Sequence, residues 1–359
     1  MMKKLALLLS ACLLLAAVAY AAGGEDSLIS LSYLTGTFWG NVEDRVDRKL
    51  DQLDEAILEQ AAGGELNLSS AAVWQETRLK RGDLLTGSTG TNVLLLAGSG
   101  RVTYGSGAVV DVTTGTQVPS GTALAANHRY MVAEDTSAAF EVTSRTAVVD
   151  YQGGYSFSYS NEVDCNAMAA ALKSLNLFRG SFTGYGQGFD LELVPTRLQA
   201  LIMFIRVLGE EEQALAWTGT THFTDISRGS DAEKYVGYAY EKGYTNGYSA
   251  TQFKPGNPVN AGQYTEFVLR ALGYSSAANT DLSDTMERAE AAGLLTAGET
   301  ARLRTEKFLR ADLVYISYYA LYARLPDSRD TLADALMDKG VFQLRDWRNA
   351  ENLVTSDRL

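Results

Sequence analysis

The sequence predicts an α+β chain in which an N-terminal helix and a small β-rich domain precede an all-α bundle of three repeats. Three observations carry this. Apolar residues recur at helical spacing between Thr35 and Gln60, short β-branched and aromatic runs separated by glycine fill about 81 to 160, and helical segments repeat after Asn161. With 359 residues, 46% of them hydrophobic, 21% charged and only 5 prolines, the chain has material for two folded domains and not the composition of a disordered polymer.

Residues 1–21 have the layout of a signal peptide. Lys3 and Lys4 precede the apolar run Leu5 to Val18, and Ala19-Tyr20-Ala21 offers a small-x-small cleavage site before Ala22. A secreted product without a membrane span is expected, since no later stretch reaches the ~20 apolar residues that crossing requires. Leu9-Ser10-Ala11-Cys12 also resembles a lipoprotein box that would acylate Cys12, although Leu13, Leu14 and Leu15 carry the apolar run past it. After cleavage Cys165 is the only thiol, which excludes an internal disulfide and a multi-cysteine metal site. The formal charge of −12 becomes more negative on loss of Lys3 and Lys4, which argues against nucleic acid or an anionic membrane as partner. No cofactor is implied.

The segment 22–65 holds the amphipathic helix, with Val42, Val46, Leu50, Leu53 and Ile57 on one face and alternating charges on the others. It either packs on its own domain or supports self-association through Thr35–Gln60 as a short coiled coil. Residues 66–160 form the β-rich domain, a sandwich or roll. Its expected strands include Val93 to Leu96, Val102 to Tyr104, Val109 to Val112, Tyr130 to Val132, Ala147 to Val149 and Tyr155 to Phe157. Turns fall between them at Gly98-Ser99-Gly100, Pro119-Ser120-Gly121 and Gln152-Gly153-Gly154. This pattern specifies a fold and leaves the domain's partner open.

From 161 to 325 the chain repeats, in units of about 161–210, 223–274 and 281–325, before a helical tail at 326–359 that bears no expected ligand. Arg197 to Gly209 lies on Ala261 to Gly273 at a constant offset of 64 residues, and a more diverged copy lies 49 further on, with Leu309-Arg310-Ala311-Asp312 over Asn260-Ala261-Gly262-Gln263. Each unit reads as helix, glycine-containing loop, helix, too small to bury its apolar face alone, so the three should share a core. In the first copy Leu198, Leu201, Ile202, Ile205 and Leu208 form a stripe that Met203, Phe204 and Val207 widen almost around the helix.

Thr196-Arg197-Leu198-Gln199 is a capping box and Asn260-Ala261-Gly262-Gln263 repeats it. Arg197 then stands in the first helical turn, where a cation opposes the helix dipole. An anion there would meet free backbone amides and a guanidinium with two donors; alternatively Arg197 pairs with a carboxylate of the protein itself. Arg310 repeats the placement.

Phe223-Thr224-Asp225-Ile226, Gly243-Tyr244-Thr245-Asn246-Gly247, Phe253-Lys254-Pro255 and the Thr-Arg-x-Gln element resemble the S-layer homology family over roughly Asp164 to Leu325. The resemblance implies a pseudo-threefold bundle of three repeats whose grooves bind secondary cell-wall polysaccharide, often through a ketal-pyruvate carboxylate. It implies noncovalent anchoring of an exported protein on the cell wall or cell surface, with the N-terminal half as structural or binding cargo. Carried over, the main contact falls on Arg197 and Arg310, supported by Thr196, Gln199, Gln263 and Asp312, with Asn246 in the loop. Ala261 replaces the second arginine and Leu309 the third capping Thr, which leaves Arg197 dominant. Tyr235, Tyr238, Tyr244, Tyr248 and Trp217 are candidates either for sugar-ring faces or for core packing.

Two other classes compete. A cell-wall glycan-processing enzyme would need more than His128 and His222, which are far apart in sequence, although carboxylate pairs always exist among 43 acidic residues. A scaffold or adhesin would use the Thr35–Gln60 helix for assembly and the β-rich domain for contact, and is compatible with anchoring.

Overall fold

The structure is a computed structural model that describes residues 73–134, 136–180, 189–276 and 281–359, all within one unit from Leu68 to Leu359. The signal peptide, Cys12 and the Thr35–Gln60 helix with its proposed self-association lie outside the described residues.

The described part is α+β, with strands first and helices after. The strands are β1 (Gln75–Lys80), β2 (Leu84–Ser88), β3 (Asn92–Ala97), β4 (Gly100–Tyr104), β5 (Val109–Asp111), β6 (Thr116–Val118), β7 (Arg129–Val132), β8 (Ser137–Val142), β9 (Thr146–Gln152) and β10 (Tyr155–Ser158). They make two antiparallel sheets, β1-β9-β3-β7-β5-β6 and β10-β2-β8-β4. Alternation decides what faces inward. In β8, Ala138, Phe140 and Val142 point into a core that Leu85 and Val102 join from the same sheet and Leu79, Val93, Leu95 and Val149 from the other.

The expected strands appear as β3, β4, β5, β7, β9 and β10. The other four gave no clear signal. β1 carries Glu76, Arg78 and Lys80, yet Lys80 is buried because its ammonium meets Asp83 at 2.6 Å. β8 is rich in alanine, and β6 is three residues long.

The helices are α1 (Cys165–Ser174), α2 (Arg197–Val207), α3 (Glu211–Leu215), α4 (Asp231–Glu241), α5 (Ala261–Leu272), α6 (Thr285–Ala291), α7 (Ala297–Thr305), α8 (Arg310–Ala320), α9 (Leu332–Asp338) and α10 (Leu344–Glu351). α2, α5 and α8 each touch the other two. Leu201, Phe204 and Ile205 of α2, Tyr264 and Val268 of α5, and Leu313 and Ile316 of α8 occupy one core, with Leu198 and Ile202 at its margin. Tyr264 and Ser317 join α5 to α8 through a buried hydroxyl pair at 2.5 Å. Beyond α8 the chain packs back through Phe342 and Trp347, whose ring lies 5.2 Å from that of Tyr322. Among the described residues no helix is long and apolar enough to cross a membrane.

Candidate functional site

The site begins with how α2 starts. Thr196 Oγ1 accepts from the Gln199 amide at 3.3 Å and Gln199 Oε1 accepts from the Thr196 amide at 3.0 Å, the reciprocal box expected from the sequence. α5 starts in the same way, Asn260 accepting at 2.9 Å and Gln263 at 3.4 Å. At α8 only half survives. Asp312 accepts from the Leu309 amide at 2.7 Å, and leucine has nothing to return.

The expectation of open amides at the start of α2 is corrected. The Arg197 amide donates to the Asn257 carbonyl at 2.8 Å and the Leu198 amide to the Pro255 carbonyl at 3.1 Å. At α8 the Arg310 and Ala311 amides are likewise taken, by Leu193 and Leu191. A buried helix start must satisfy its orphan donors, and here the incoming chain of a neighbouring segment does so. The side chain is therefore what α2 has left to offer an anion.

The Arg197 side chain is only 6% exposed and sits between two rings, its guanidinium carbon 5.0 Å from the Phe253 centroid and 5.2 Å from that of Phe267. One nitrogen donates to the Gly247 carbonyl at 3.1 Å, with Thr245 Oγ1 at 3.5 Å, and Nε has no partner. No carboxylate among the described residues pairs with it. Burial, and then the nearby Arg270 cation, pull its pKa down to about 10, against a smaller opposing effect of Tyr248. It remains a cation at neutral pH, held without a counter-charge.

The loop opposite is shaped for this. Gly247 adopts φ +81°, and a Cβ there would fall 2.3 Å from the Phe223 ring. Asp225 accepts from the Phe253 and Lys254 amides at 2.9 and 2.7 Å, which fixes the Phe-Lys-Pro segment beneath Arg197. Lys254 caps the outer side by lying 3.8 Å over the Tyr248 ring.

Between loop and helix lies an open cavity of about 360 Å³ lined by Arg197, Asn246, Gly247, Tyr248, Ser249, Ala250, Gln263, Glu266, Phe267, Arg270 and Leu282. Glu266 could have neutralised Arg197, but it is committed elsewhere: Arg270 reaches it at 2.9 Å and Arg288 at 2.8 Å, with Ser275 and Thr285 also donating to it. The cavity thus presents a desolvated guanidinium beside an already satisfied carboxylate, an arrangement suited to an incoming anion.

Of the residues singled out from the sequence, Arg197, Asn246 and Gln263 meet in this cavity. Thr196 and Gln199 hold the helix start without lining it. Tyr235 does not reach it, being buried in α4 with its hydroxyl on Glu211 at 2.7 Å. Tyr238 and Tyr244 both donate to one oxygen of Glu210 at 2.9 Å, whereas Tyr248 is exposed at the cavity rim. Arg310 is buried at the start of α8 and differs in its electrostatics: burial lowers its pKa, while the carboxylates of Asp190 and Glu192 act in the opposite direction. Ala261 lines a separate cavity of about 320 Å³ with Asn260, Gln263, Met286 and Arg304. Phe253, Phe267, Glu266 and Arg270 were not foreseen as parts of the site. Phe267 aligns at offset 64 with Met203, which reads as part of the buried stripe, so aromatic type alone does not separate it from core.

Comparison with known proteins adds three observations. The surface layer protein of Brevibacillus choshinensis is 29% identical over 109 residues, 30% of this chain but only 10% of that protein, so the match spans a tenth of its length. Among solved structures, recombinant pro-11S globulin of pumpkin superposes over 28% of each chain at 11% identity and TM-score 0.17. Procruciferin of Brassica napus does so over 28% of this chain and 27% of its own at 10% identity and TM-score 0.16, and likenesses of this size carry no argument. The family model of the S-layer homology domain matches residues 222–265, which include Asn246 to Ala250 and Gln263 of the cavity, so the chain is similar to an S-layer homology domain over that stretch.

Proposed function

We propose that this protein is held noncovalently at the bacterial cell surface by an anionic cell-wall polysaccharide, which inserts a carboxylate, as on a pyruvylated sugar, into the cavity beside Arg197. The observation that carries this is the buried Arg197 guanidinium lacking, among the described residues, any carboxylate partner at the rim of an open cavity. Isolated charge in a protein interior is costly, and a ligand carboxylate offsets that cost with charge-assisted hydrogen bonds. The matched S-layer homology domain supports a location on the wall.

In this reading residues 161–325 act as three related units, about 161–210, 223–274 and 281–325, whose central helices α2, α5 and α8 form a pseudo-threefold bundle. The mutual contacts of those helices and their repeated starts support it. The units are unequal. Arg197 leads, Ala261 has no side chain to bind with, and Arg310 has Asp190 and Glu192 nearby to balance it. The strands at 66–160 are cargo, and the tail at 326–359 completes the bundle.

Both histidines have packing roles that support a non-catalytic reading. His128 Nδ1 lies 2.7 Å from Asp111, and the His222 ring stacks 4.1 Å from Phe223 and 4.4 Å from Tyr240. Neither adjoins the Arg197 cavity.

The test is a pull-down of mature protein on purified cell walls before and after chemical removal of the secondary polysaccharide, alongside Arg197→Ala and Arg310→Ala. Binding should vanish with the polysaccharide, fall at least tenfold in Arg197→Ala, and change less in Arg310→Ala. Full retention by Arg197→Ala would sink the assignment.

A further inference from the structure

Shifted by 49 residues, the α5 positions Gln263, Glu266 and Arg270, which line the cavity, fall on Asp312, Tyr315 and Tyr319 of α8. In α5 that face borders the open cavity, with Gln263 partly exposed and Glu266 held by Arg270 and Arg288. In α8 it is covered by the protein's own arginines. Arg145, from the turn between β8 and β9, pairs with Asp312 and donates Nε and Nη2 to Glu306 at 3.0 and 2.7 Å and Nη2 to the Lys307 carbonyl at 3.1 Å. Arg302 reaches the same Asp312 oxygen at 2.9 Å. One helical turn and more further along, Arg358 stacks 4.3 Å over the Tyr319 ring and donates to both oxygens of Glu299 at 2.7 and 2.9 Å, while the Tyr315 hydroxyl donates to Glu299 at 2.5 Å.

We propose that the chain fills this second groove itself: the face of α8 equivalent to the cavity-lining face of α5 is an internal dock, occupied by Arg145 of the β-sandwich and Arg358 of the tail, and it fixes the sandwich rigidly on the helical bundle. The inference rests on reading α5 and α8 as equivalent members of repeated units. The chemistry favours an arginine in each place. Asp312 is 1% exposed and already caps α8 through the Leu309 amide, so its remaining lone pairs require buried donors, which a two-pronged guanidinium supplies. Glu306, one-third exposed (33%), gives Arg145 a second carboxylate outside the helix, so the contact spans two elements and resists rocking. Arg81, from the same sandwich, approaches Glu306 from the other side at 3.7 Å. The consequence is that wall ligand held at Arg197 would orient the sandwich, not merely tether it.

The test is a distance measurement by pulsed electron resonance on mature full-length protein, with nitroxides on cysteines introduced at exposed Thr103 in the sandwich and Glu241 in the bundle, native Cys165 being buried. Unsubstituted at Arg145, the protein should give one narrow distribution. Arg145→Glu, which faces Asp312 and Glu306 with like charge, should broaden it at least twofold in width, and Arg145→Lys should fall between. Should Arg145→Glu fail to fold, Glu306→Gln supplies the milder break and should also broaden the distribution. A broad distribution in the parent, or an unchanged one in folded Arg145→Glu, overturns the dock. Arg197→Ala should leave the distances unchanged whatever it does to wall binding, so failure of anchoring and failure of docking are read separately.

Discussion

A guanidinium clamped between Phe253 and Phe267 with no counter-charge among the described residues is a poor way to stabilise a fold and a good way to hold an anion. Replacing a buried charge by an apolar group of similar volume is often stabilising. Arg197→Met is therefore expected to raise unfolding stability by on the order of 1 kcal/mol while abolishing wall binding, a stability–function trade that a purely structural arginine would not show. Thermal melts and the pull-down check the two halves. The pH dependence follows from the same burial. Because the folded-state pKa lies below the ordinary value, at about 10, the cation's cost is present at neutral pH and is relieved as pH rises through about 10. Binding needs the cation, which is retained below that value and favoured further by a bound carboxylate, so affinity for walls should be level from neutral pH to pH 9; a loss of binding across that range would exclude Arg197 as the main contact. Gly247 is the other decisive residue. With φ +81° and the Phe223 ring 2.3 Å from a would-be Cβ, Gly247→Ala should cost about 2 to 4 kcal/mol in a denaturant titration, combining left-handed strain with overpacking. Arg197 was legible in the sequence because its charge conflicts with the helix dipole. Its two rings and Glu266 were not, because only the tertiary fold brings them to it.

At the scale of the element, local chemistry was readable and its surroundings were not. Both capping boxes, at Thr196 and Asn260, form as the residue types dictate, since each lies within four consecutive residues. Thr196→Ala and Asn260→Ala should each lower stability by about 1 kcal/mol, with Leu309→Ala costing little through capping, because leucine accepts nothing there. Equal losses at all three sites, measured by chemical denaturation, would mean that the caps are not what the substitutions remove. The occupied amides at α2 and α8 show the limit of such reasoning: a helix start read in isolation has four open donors, and whether they stay open depends on a chain segment more than fifty residues away. The same limit applies to strands. β3, β4, β7 and β9 declare themselves by β-branched runs. β1 hides behind its charges until Asp83 is seen to accept from both the backbone and side chain of Lys80, at 3.0 and 2.6 Å.

For the whole molecule, the polar groups that join distant segments set how it responds to acid. Glu299, fully buried on α7, has its pKa raised by burial but more than compensated by Arg358, Tyr315 and the Thr296 amide, so it ends below the usual glutamate value of 4.5. Glu306 follows the same logic, burial opposed by Arg145, and Glu211 likewise, burial opposed by Tyr235 and Arg206. A carboxylate whose folded pKa is depressed contributes stability that is fully present above its unfolded value and disappears as pH falls through the folded one. Unfolding stability should therefore be level from pH 7 to about 5 and then decline steeply below 4.5. Glu299→Gln should start lower at pH 7, because Arg358 then faces a neutral amide in a buried setting, and should decline less steeply in acid, because one of the titrating groups is gone. Denaturation midpoints taken from pH 7 to pH 3 separate the two effects. A parallel acid limb in Glu299→Gln would mean that the Arg358 clasp is not among the groups that acid unlocks, and would move the origin of acid lability to the Arg145–Glu306 contact between sandwich and bundle.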